Sequence, residues 1–285
     1  MKRILAILCA LAMATLLFAG CGATEPPATE PPTTAAEPAD VTTEAPAELQ
    51  LIVPGTLTVG TEIGYPPFEQ WADDGVTPIG LDIELAKEIG KLLGVEVVFQ
   101  NTDFEGILDG LAIDKYDVVM SAVTITAERA KKVDFSDDYI ENWQAIVVRK
   151  GEEPITAPEQ LDGKKVAYQK ATTSTDYLTK LRDTGVLECQ VSEYEKVMDC
   201  FSDLKLGRVD AVLCDSVVAD DYASREPENF EVTWVQTTDD GEPPELFGIG
   251  IKKGNAELLN AVNGALAQLE AEGWMDALRN QWLAS

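Results

Sequence analysis

The sequence predicts an α/β fold in which two similar sets of strands and helices each build a mostly parallel sheet flanked by helices. Strand-like and helix-like segments alternate along the chain, which is typical of βαβ units. The order of segments in the first half recurs in outline after residue 143. About 230 residues remain after the N-terminal segments, which is enough for two lobes of ordinary size or one large domain.

The first set begins with a short strand at 57–60 and a helix at 82–93. The apolar residues of this helix fall on one face, and Gly94 suits the position after a helix, where a left-handed residue ends it. The apolar face consists of Leu85, Ala86, Ile89, Leu92 and Leu93. The alternation continues with a strand at 95–99, a helix at 104–112 and a buried strand at 116–121.

The second set follows a strand at 143–149 and repeats the first in outline. It consists of strands at 165–168, 189–191 and 210–214 and helices at 174–183 and 195–206. Before the last strand of each set, a helix ends, the chain turns, and an Asp opens the strand. Aligning the two segments on these features places Ser121 and Ala122 opposite Cys214 and Asp215. Ligands of open parallel sheets bind beyond the carboxyl ends of the strands, so these four residues are candidates for a site.

The C-terminal residues 255–283 are predicted to be helical, with Gly273 between a long helix and a short one. The apolar face of the long helix consists of Leu258, Leu259, Val262, Leu266 and Leu269. Trp274 and Trp282 lie on the short helix, at a spacing more typical of a core than of a site. We therefore interpret both as packing residues that dock the tail on the first lobe.

The N-terminus has the pattern of a secretory signal peptide, predicted to span 1–20. Lys2 and Arg3 precede an apolar run at 4–18 that is too short for an ordinary spanning helix. The run ends in Phe-Ala-Gly before Cys21, which resembles the lipobox of bacterial lipoproteins apart from the Phe, where Leu is commoner. The resemblance implies that Cys21 is the lipidated first residue of the mature protein, whose diacylglyceryl group supplies the two chains that stable anchoring needs. The alternative is a simple signal peptide with an incidental cysteine.

Residues 21–54 are predicted to be a disordered tether rich in Pro, Thr and Glu. From Gly22 to Pro54 the chain has no aromatic residue, Lys or Arg, so it cannot bury enough apolar surface to offset its ordering entropy. Such a tether either lets the folded body search for a partner or is a plain spacer, and the sequence leaves both open.

The composition excludes several classes of partner and cofactor. A formal net charge of −28 argues against binding of nucleic acid and against adhesion to anionic lipid through the protein surface. No later run approaches a spanning helix, so we expect a water-soluble body. The chain has no His, and Cys189, Cys200 and Cys214 lack a CxxC spacing, so a zinc site is not expected. No other metal and no cofactor are predicted. These thiols are expected to be buried, and a disulfide between two of them is left open.

Motifs that follow one another from residue 55 to residue 285 point to a family. They begin with Leu57-Thr-Val-Gly-Thr-Glu-Ile-Gly-Tyr-Pro-Pro-Phe and Gly80-Leu-Asp-Ile-Glu-Leu-Ala. They continue with Asn101-Thr-Asp-Phe-Glu-Gly, Tyr116-Asp-Val-Val-Met-Ser-Ala-Val-Thr-Ile-Thr-Ala-Glu-Arg, Val133-Asp-Phe-Ser-Asp-Asp-Tyr, Leu161-Asp-Gly-Lys-Lys-Val-Ala, Gly207-Arg-Val-Asp-Ala-Val and Gly250-Ile-Lys-Lys-Gly-Asn. Together they resemble the bacterial extracellular solute-binding proteins of polar amino-acid ABC importers, family 3.

The resemblance implies a monomeric protein with a type II periplasmic-binding-protein fold, in which two lobes joined by two crossover hinge segments close over a ligand. Lobe 1 would comprise 55–140 and 247–285, and lobe 2 would comprise 141–246. The crossings would fall near Tyr139 to Trp143 and near Pro243 to Phe247.

The resemblance also implies how the head group of a free amino acid would be held. Arg129 would bind the α-carboxylate as a bidentate, permanently charged donor. Further donors would come from Ser121, Ala122 and Thr124. Thr173 lies in a turn that opens a helix, where N–H groups favour an anion. Ala171 in that turn replaces the usual Gly and narrows the allowed backbone.

Other positions would contact the rest of the ligand. Asp215 would receive the α-ammonium group, unless it serves as the N-cap of the next helix. Tyr65 and Phe104 would sandwich the ligand side chain. Gln169 and Cys214 would line the side-chain end of the cleft.

The predicted function is that of a lipid-anchored protein on the outer face of the cell membrane. It would capture a free polar amino acid and deliver it to the permease and ATPase subunits of an ABC importer. No catalytic residue is expected, and a dehydratase on the same fold or a ligand-sensing module is a remote alternative.

The sequence favours arginine or lysine as the ligand. Glu62 matches a family position that often carries an acid facing the ligand's distal end, and a cationic side chain would balance Glu62 and Asp215 against Arg129. Glutamine, cystine or another polar amino acid is the alternative. Lys170 could compensate the acid, or Glu62 could pair with a surface cation.

Overall fold

The chain folds into two lobes, each built on a five-stranded sheet. The structure is a computed structural model that describes residues 49–185 and 187–283. The predicted signal peptide, Cys21 and most of the predicted tether lie outside the described residues. Near the end of the predicted tether, the Ile52 N–H donates to the Asp117 carboxylate at 2.8 Å, which ties the chain to lobe 1.

The first half of lobe 1 has strands and helices in the predicted order. Its elements are β1 (Thr56–Thr61), β2 (Gln70–Trp71), β3 (Pro78–Ile79), α1 (Leu81–Leu93), β4 (Glu96–Asn101), α2 (Asp109–Ala112), β5 (Val118–Val119), α3 (Arg129–Lys132) and β6 (Val133–Asn142). Helix α1 buries its apolar face, and Gly94 ends it in a left-handed conformation with a φ of 70°. The prediction for this helix is confirmed.

The helix α2 is shorter than the sequence predicts. We expected a helix over 104–112, whereas the residues before Asp109 form turns, among them a hydrogen bond of 3.1 Å from the Ile107 N–H to the Phe104 carbonyl. Gly106 has a φ of 80°, in the left-handed region that a continuous right-handed helix excludes. The prediction was therefore wrong for the first part of this segment.

Lobe 2 contains the second set of elements. They are β7 (Gln144–Arg149), β8 (Lys165–Gln169), α4 (Thr173–Asp183), β9 (Gln190–Tyr194), α5 (Val197–Lys205), β10 (Ala211–Asp215), α6 (Ser216–Arg225) and β11 (Phe230–Val235). The chain then returns to lobe 1 as β12 (Glu245–Lys252), α7 (Ala256–Ala271) and α8 (Trp274–Trp282). Trp274 and Trp282 are half-buried against the apolar core, as predicted for packing residues of the tail.

In each five-stranded sheet one strand is reversed, so both sheets are mostly parallel. The order in lobe 1 is β4-β1-β5-β12-β6, where β12 is the reversed strand. The order in lobe 2 is β11-β7-β10-β8-β9, where β7 is reversed. The predicted two-lobed α/β fold is confirmed.

Two segments cross between the lobes side by side. Strand β6 leads into β7 through Trp143, and residues 236–244 connect β11 to β12. Strands β6 and β12 pair with each other, with Asn142 opposite Glu245. This register places the side chains of both crossings at the junction of the lobes.

The main apolar core is continuous from one lobe to the other. One cluster of buried residues contains Leu57 of lobe 1 and Val212 of lobe 2. Cys200 and Cys214 belong to this cluster and are buried as expected, whereas Cys189 is only half-buried; all three are free thiols. In the described part of the chain, no helix combines the length and the apolar character that crossing a membrane requires.

Candidate functional site

A small cavity with an empty volume of about 250 Å³ lies between the lobes. Its lining residues are Tyr65, Phe104, Ala122, Thr124, Arg129, Gln169, Thr172, Thr173 and Asp215. Eight of the ten predicted ligand-binding residues are in this lining. Glu62 and Ser121 are not, and Thr172 is an addition.

The two sheets supply the lining residues from the carboxyl ends of their strands. Gln169 and Asp215 are the last residues of β8 and β10. Tyr65 follows β1, and Ala122 and Thr124 follow β5. The position of the cavity is therefore the one that parallel strand topology favours for a ligand.

Arg129, the first residue of α3, donates hydrogen bonds to backbone carbonyls of both lobes. One guanidinium nitrogen bonds to the Thr124 carbonyl at 2.9 Å, and the other bonds to the Ala171 carbonyl at 3.0 Å. The guanidinium carbon lies 5.5 Å from the centroid of the Phe104 ring, within cation–π range. Burial lowers the pKa of Arg129, and the charge of Asp215 opposes this shift.

The partners of Arg129 leave its positive charge unmatched at short range. Among the residues that the structure describes, no carboxylate lies within salt-bridge distance of the guanidinium, whose hydrogen bonds go to neutral carbonyls. A guanidinium stays charged in proteins and has five donors. Arg129 therefore has both the charge and the donors to bind an anion in the cavity.

Asp215 lies across the cavity and has 5% of its surface exposed. Its carboxylate accepts hydrogen bonds from the Tyr65 hydroxyl, from the Asn142 amide at 2.7 Å and from the Gln144 amide at 3.4 Å. Burial and the nearby charge of Glu245 raise the pKa of Asp215 to about 7. The side chain makes no capping hydrogen bond to α6, which was its alternative role.

Glu245 is a second acid at the site, and the sequence did not reveal it. Its carboxylate shares the amide donors of Asp215, at 3.3 Å from the Asn142 nitrogen and 3.1 Å from the Gln144 nitrogen. The Thr173 hydroxyl also donates to it, at 3.0 Å. Burial raises the pKa of Glu245. The one available signal was its position within the predicted second crossing, near Pro243 to Phe247.

The N-terminus of α4 forms one wall of the cavity through Thr172 and Thr173. The first N–H groups of a helix have no partner within it and favour an anion. Ala171, just before them, has a φ of 61°, a left-handed conformation that Gly adopts without strain. Ala171 therefore adopts a conformation that is favourable for the usual Gly and unfavourable for Ala.

Glu62 lies behind the cavity lining and already has a cationic partner. It has 1% of its surface exposed. Its carboxylate accepts from the Gln169 amide at 2.6 Å and from the Lys196 ammonium at 3.2 Å. Burial raises the pKa of Glu62, and these two partners oppose the shift. Lys170, which we considered as a compensating charge, is instead paired with Glu105 and Glu195.

Ser121 and Cys214 also lie behind the lining. The Ser121 hydroxyl accepts from the Glu62 N–H at 3.0 Å and donates to the Glu69 carboxyl at 2.7 Å. The Cys214 thiol is buried in the apolar core beside Asp215. Both residues support neighbours that line the cavity.

The chain matches a known family over nearly all of its described length. The sequence model of the bacterial extracellular solute-binding proteins, family 3, matches residues 57–285. The L-cystine-binding protein TcyJ of Escherichia coli K12 is 36% identical over 234 residues, which cover 81% of this chain and 84% of that protein.

Two solved structures are similar in fold and sequence. An ancestral arginine-binding protein bound to arginine has a TM-score of 0.74 and 41% identity, covering 81% of this chain and 99% of that one. The ancestral amino acid-binding protein AncCDT-1, a precursor of cyclohexadienyl dehydratase, has a TM-score of 0.73 and 38% identity, covering 80% and 96%.

The variant Glu245→Gln should change how stability depends on pH. The pKa of Asp215 rises from 3.8 to about 7 on folding, so the ligand-free protein loses stability as the pH increases across that range. Removing the charge of Glu245 should lower the pKa of Asp215 and make this loss smaller. Thermal unfolding of the ligand-free protein between pH 4 and 8 measures the effect.

Glu242→Gln is the matched control, because Glu242 is an exposed acid before the same strand and is paired with Lys180. It should leave the pH dependence unchanged. An unchanged pH dependence in Glu245→Gln would contradict the electrostatic coupling of Glu245 and Asp215.

Proposed function

The chain belongs to the bacterial extracellular solute-binding proteins, family 3, and we propose that it captures a free polar amino acid in the cavity between its lobes. In this proposal it delivers the amino acid to the permease and ATPase subunits of an ABC importer. The family consists of solute-binding proteins, not enzymes. These proteins are extracellular or periplasmic and work with ABC transporters.

The observation that carries the proposal is the unmatched guanidinium of Arg129. In the closed cavity it faces a space lined by Thr124, Thr173 and the first N–H groups of α4. An α-carboxylate in this space would receive bidentate hydrogen bonds from Arg129 and further bonds from the helix N-terminus. All amino acids share this group, so the site recognises the class.

Asp215 is suited to the α-ammonium group at the other side of the same cavity. One of its oxygens accepts from Tyr65, and the other accepts from Asn142 and Gln144. Because a carboxylate has about four acceptor positions, it can also accept from an ammonium group. The ligand head group would thus join Arg129 of lobe 1 to Asp215 of lobe 2, which favours closure.

We propose that the chain is a binding protein without catalytic activity. The polar groups of the cavity lining are each accounted for by the binding of a zwitterion. The ancestral protein AncCDT-1 is itself described as an amino acid-binding protein, although it is a precursor of a dehydratase. Incubation with prephenate or arogenate tests the point, because turnover would contradict a binding-only role.

Arginine or lysine is the favoured ligand because acids outnumber cations around the cavity. Asp215 and Glu245 both act on Arg129. Gln169 separates the cavity from a third acid, Glu62, which is paired with Lys196. A cationic side chain would reduce this negative surplus and could reach Glu62 by displacing the Gln169 amide, and the Phe104 ring suits its aliphatic stem or guanidinium. The solved arginine-binding relative is consistent with this choice.

Cystine is the second candidate, and the Lys196–Glu62 ion pair favours it. These two side chains lie 3.2 Å apart beyond Gln169. A cation and an anion side by side complement a second amino-acid head group, which cystine has and arginine lacks. The similarity to a cystine-binding protein supports the same alternative.

The variant Arg129→Ala should abolish binding of every amino acid. It removes the partner of the group they share, and truncating one side of a buried charge pair typically loses about 2–5 kcal/mol of binding free energy. Calorimetric titration of the soluble body measures the loss. Lys132→Ala is the control on the same helix, since Lys132 pairs with Asp109 on the surface. A folded Arg129→Ala protein with full affinity would place the anion site elsewhere.

Glu62→Gln should remove a preference for basic amino acids. In a competition series, the wild type should bind arginine or lysine at least about tenfold tighter than glutamine, roughly 1.4 kcal/mol. Lys196→Met separates the candidates, because it should weaken cystine binding but not arginine binding. Tightest binding of glutamate or aspartate would contradict the charge argument.

We further propose that Cys21, outside the described residues, carries a lipid that anchors the protein to the outer face of the membrane. The lipobox-like sequence before Cys21 supports this proposal. Cys21→Ala should release the protein from the membrane fraction without changing ligand affinity, because Cys21 lies far before Tyr65, the first residue of the cavity lining, in the sequence. A variant that still sediments with membranes would show another mode of attachment.

A further inference from the structure

Two acidic side chains lie fully buried behind the cavity, and the proposed function does not use them. Glu69, between β1 and β2, and Asp82, in the first turn of α1, each have 0% of their surface exposed. An ionised carboxylate in such a place has lost its hydration and needs compensation from its neighbours.

Both carboxyls bind the segment that follows β5. The Ser121 hydroxyl donates to Glu69 Oε1 at 2.7 Å, and the Ala122 N–H donates to Asp82 Oδ2 at 2.8 Å. The Tyr139 hydroxyl also donates to Asp82 Oδ2, at 3.0 Å. All of these partners are neutral, so none of them cancels the charge of an ionised pair.

The second oxygen of each carboxyl has no partner. Glu69 Oε2 and Asp82 Oδ1 are buried without a hydrogen bond to any described residue. The two carboxyls are neighbours, because they bind consecutive residues and because the Asp82 N–H donates to the carbonyl of Phe68 at 3.0 Å. Gly80 permits this approach, since a Cβ there would lie 2.1 Å from the Phe68 oxygen.

We propose that Glu69 and Asp82 share one proton, which joins Glu69 Oε2 to Asp82 Oδ1, and that this acid pair positions the segment 121–124 at the cavity. The proton gives both unpaired oxygens a partner and halves the buried charge. Two carboxyls that share a site cannot both ionise easily. This acid pair is therefore held together by the hydrogen bond that the proton makes.

The proton resides on Glu69. Asp82 accepts two hydrogen bonds and lies in the first turn of α1, where the helix dipole stabilises an anion. Burial and the charge of Asp82 raise the pKa of Glu69 well above its ordinary value, whereas burial raises the pKa of Asp82 to about 7. The greater rise at Glu69 agrees with a proton that resides on Glu69.

The acid pair acts on the cavity through the backbone of the segment 121–124. Ala122 has a φ of 47°, a left-handed conformation that is unfavourable for Ala, and its hydrogen bond to Asp82 holds it there. Thr124, two residues later, holds Arg129 through its carbonyl. Glu69 and Asp82 are thus positioning residues. Their effect on ligand affinity rests on the proposed function, whereas the shared proton does not.

Two further titratable groups face the acid pair. The charge of Glu62 adds to the repulsion at Glu69, and Tyr139 donates to Asp82 while burial raises the pKa of Tyr139 well above its ordinary value. In the unfolded chain Glu69 ionises near its ordinary pKa of 4.5. The folded protein keeps this proton to higher pH, so its stability falls as the pH rises from 4.5 through the raised pKa.

The test is a double-mutant cycle on the free energy of unfolding. In Glu69→Gln the amide can donate to Asp82 and still accept from Ser121, and in Asp82→Asn the amide can donate to an ionised Glu69 and still accept from Ala122. Each single variant therefore replaces the shared proton and should be tolerated. The double variant sets two amide donors against each other and should be destabilised by more than the sum of the single effects. An additive double variant would overturn the proposal.

Infrared difference spectroscopy tests whether Glu69 is protonated. It requires neither a ligand nor a folded double variant. The spectrum of the wild type minus Glu69→Gln at neutral pH should contain the C=O stretch of a neutral carboxylic acid. Glu69→Gln should also lose part of the pH dependence of stability above pH 4.5. Absence of the neutral acid band would overturn the proposal. Failure of the wild type to bind any amino acid would contradict the proposed function and leave this result standing.

Discussion

The Arg129 guanidinium is buried at the junction of the two lobes, where its charge must be compensated. Arg129 is held by carbonyls from both lobes, at Thr124 and Ala171, so its position is defined only when the lobes meet. Carbonyl oxygens orient a guanidinium but do not neutralise it. In the proposed function, the strands that end at the cavity, the turn before α4 and the contact of α3 with lobe 2 together present this charge to the α-carboxylate of the ligand.

The acids around the cavity differ in how their charge is compensated. Asp215 and Glu245 share amide donors from the first crossing, and Arg129 and those amides oppose their mutual repulsion without cancelling it. Glu62 is balanced by Lys196, and Glu69 and Asp82 have neutral partners. An acidic protein can place this many carboxyls near one site only if each has a specific partner, because a buried carboxylate without one is strongly destabilising.

Local sequence pattern was sufficient for the elements whose stability is local. Helices α1 and α7 have apolar residues at helical spacing, and the buried strands are short apolar runs. Strands β6 and β12 gave no such signal, because they are stabilised by pairing with each other across about a hundred residues of chain, with register shifts near Gly248. The prediction of a helix over 104–112 was wrong because Gly106, in the left-handed region, interrupts an otherwise favourable helical pattern.

The same distinction holds for the site. Arg129 and Asp215 were predicted because they occupy motif positions to which the family resemblance assigns a role. Glu245 was missed because it reaches Asp215 only through the pairing of the two crossings. The partner of Glu62 was left unnamed, because Lys196 lies 134 residues away in the sequence and on the other lobe. Contacts between distant segments decide which charges are free to bind, and a single sequence does not contain them.

A comparison of one amino acid with its head-group derivatives tests whether Arg129 and Asp215 hold the head group. The soluble body would be titrated calorimetrically with the amino acid that it binds most tightly, with the corresponding amine that lacks the carboxylate, and with the N-acetyl derivative that lacks the ammonium charge. A head group held between Arg129 and Asp215 predicts one ligand per chain and a loss of at least about a hundredfold in affinity for both derivatives, roughly 2.7 kcal/mol. Equal affinity for the amine without a carboxylate would contradict the central role of Arg129.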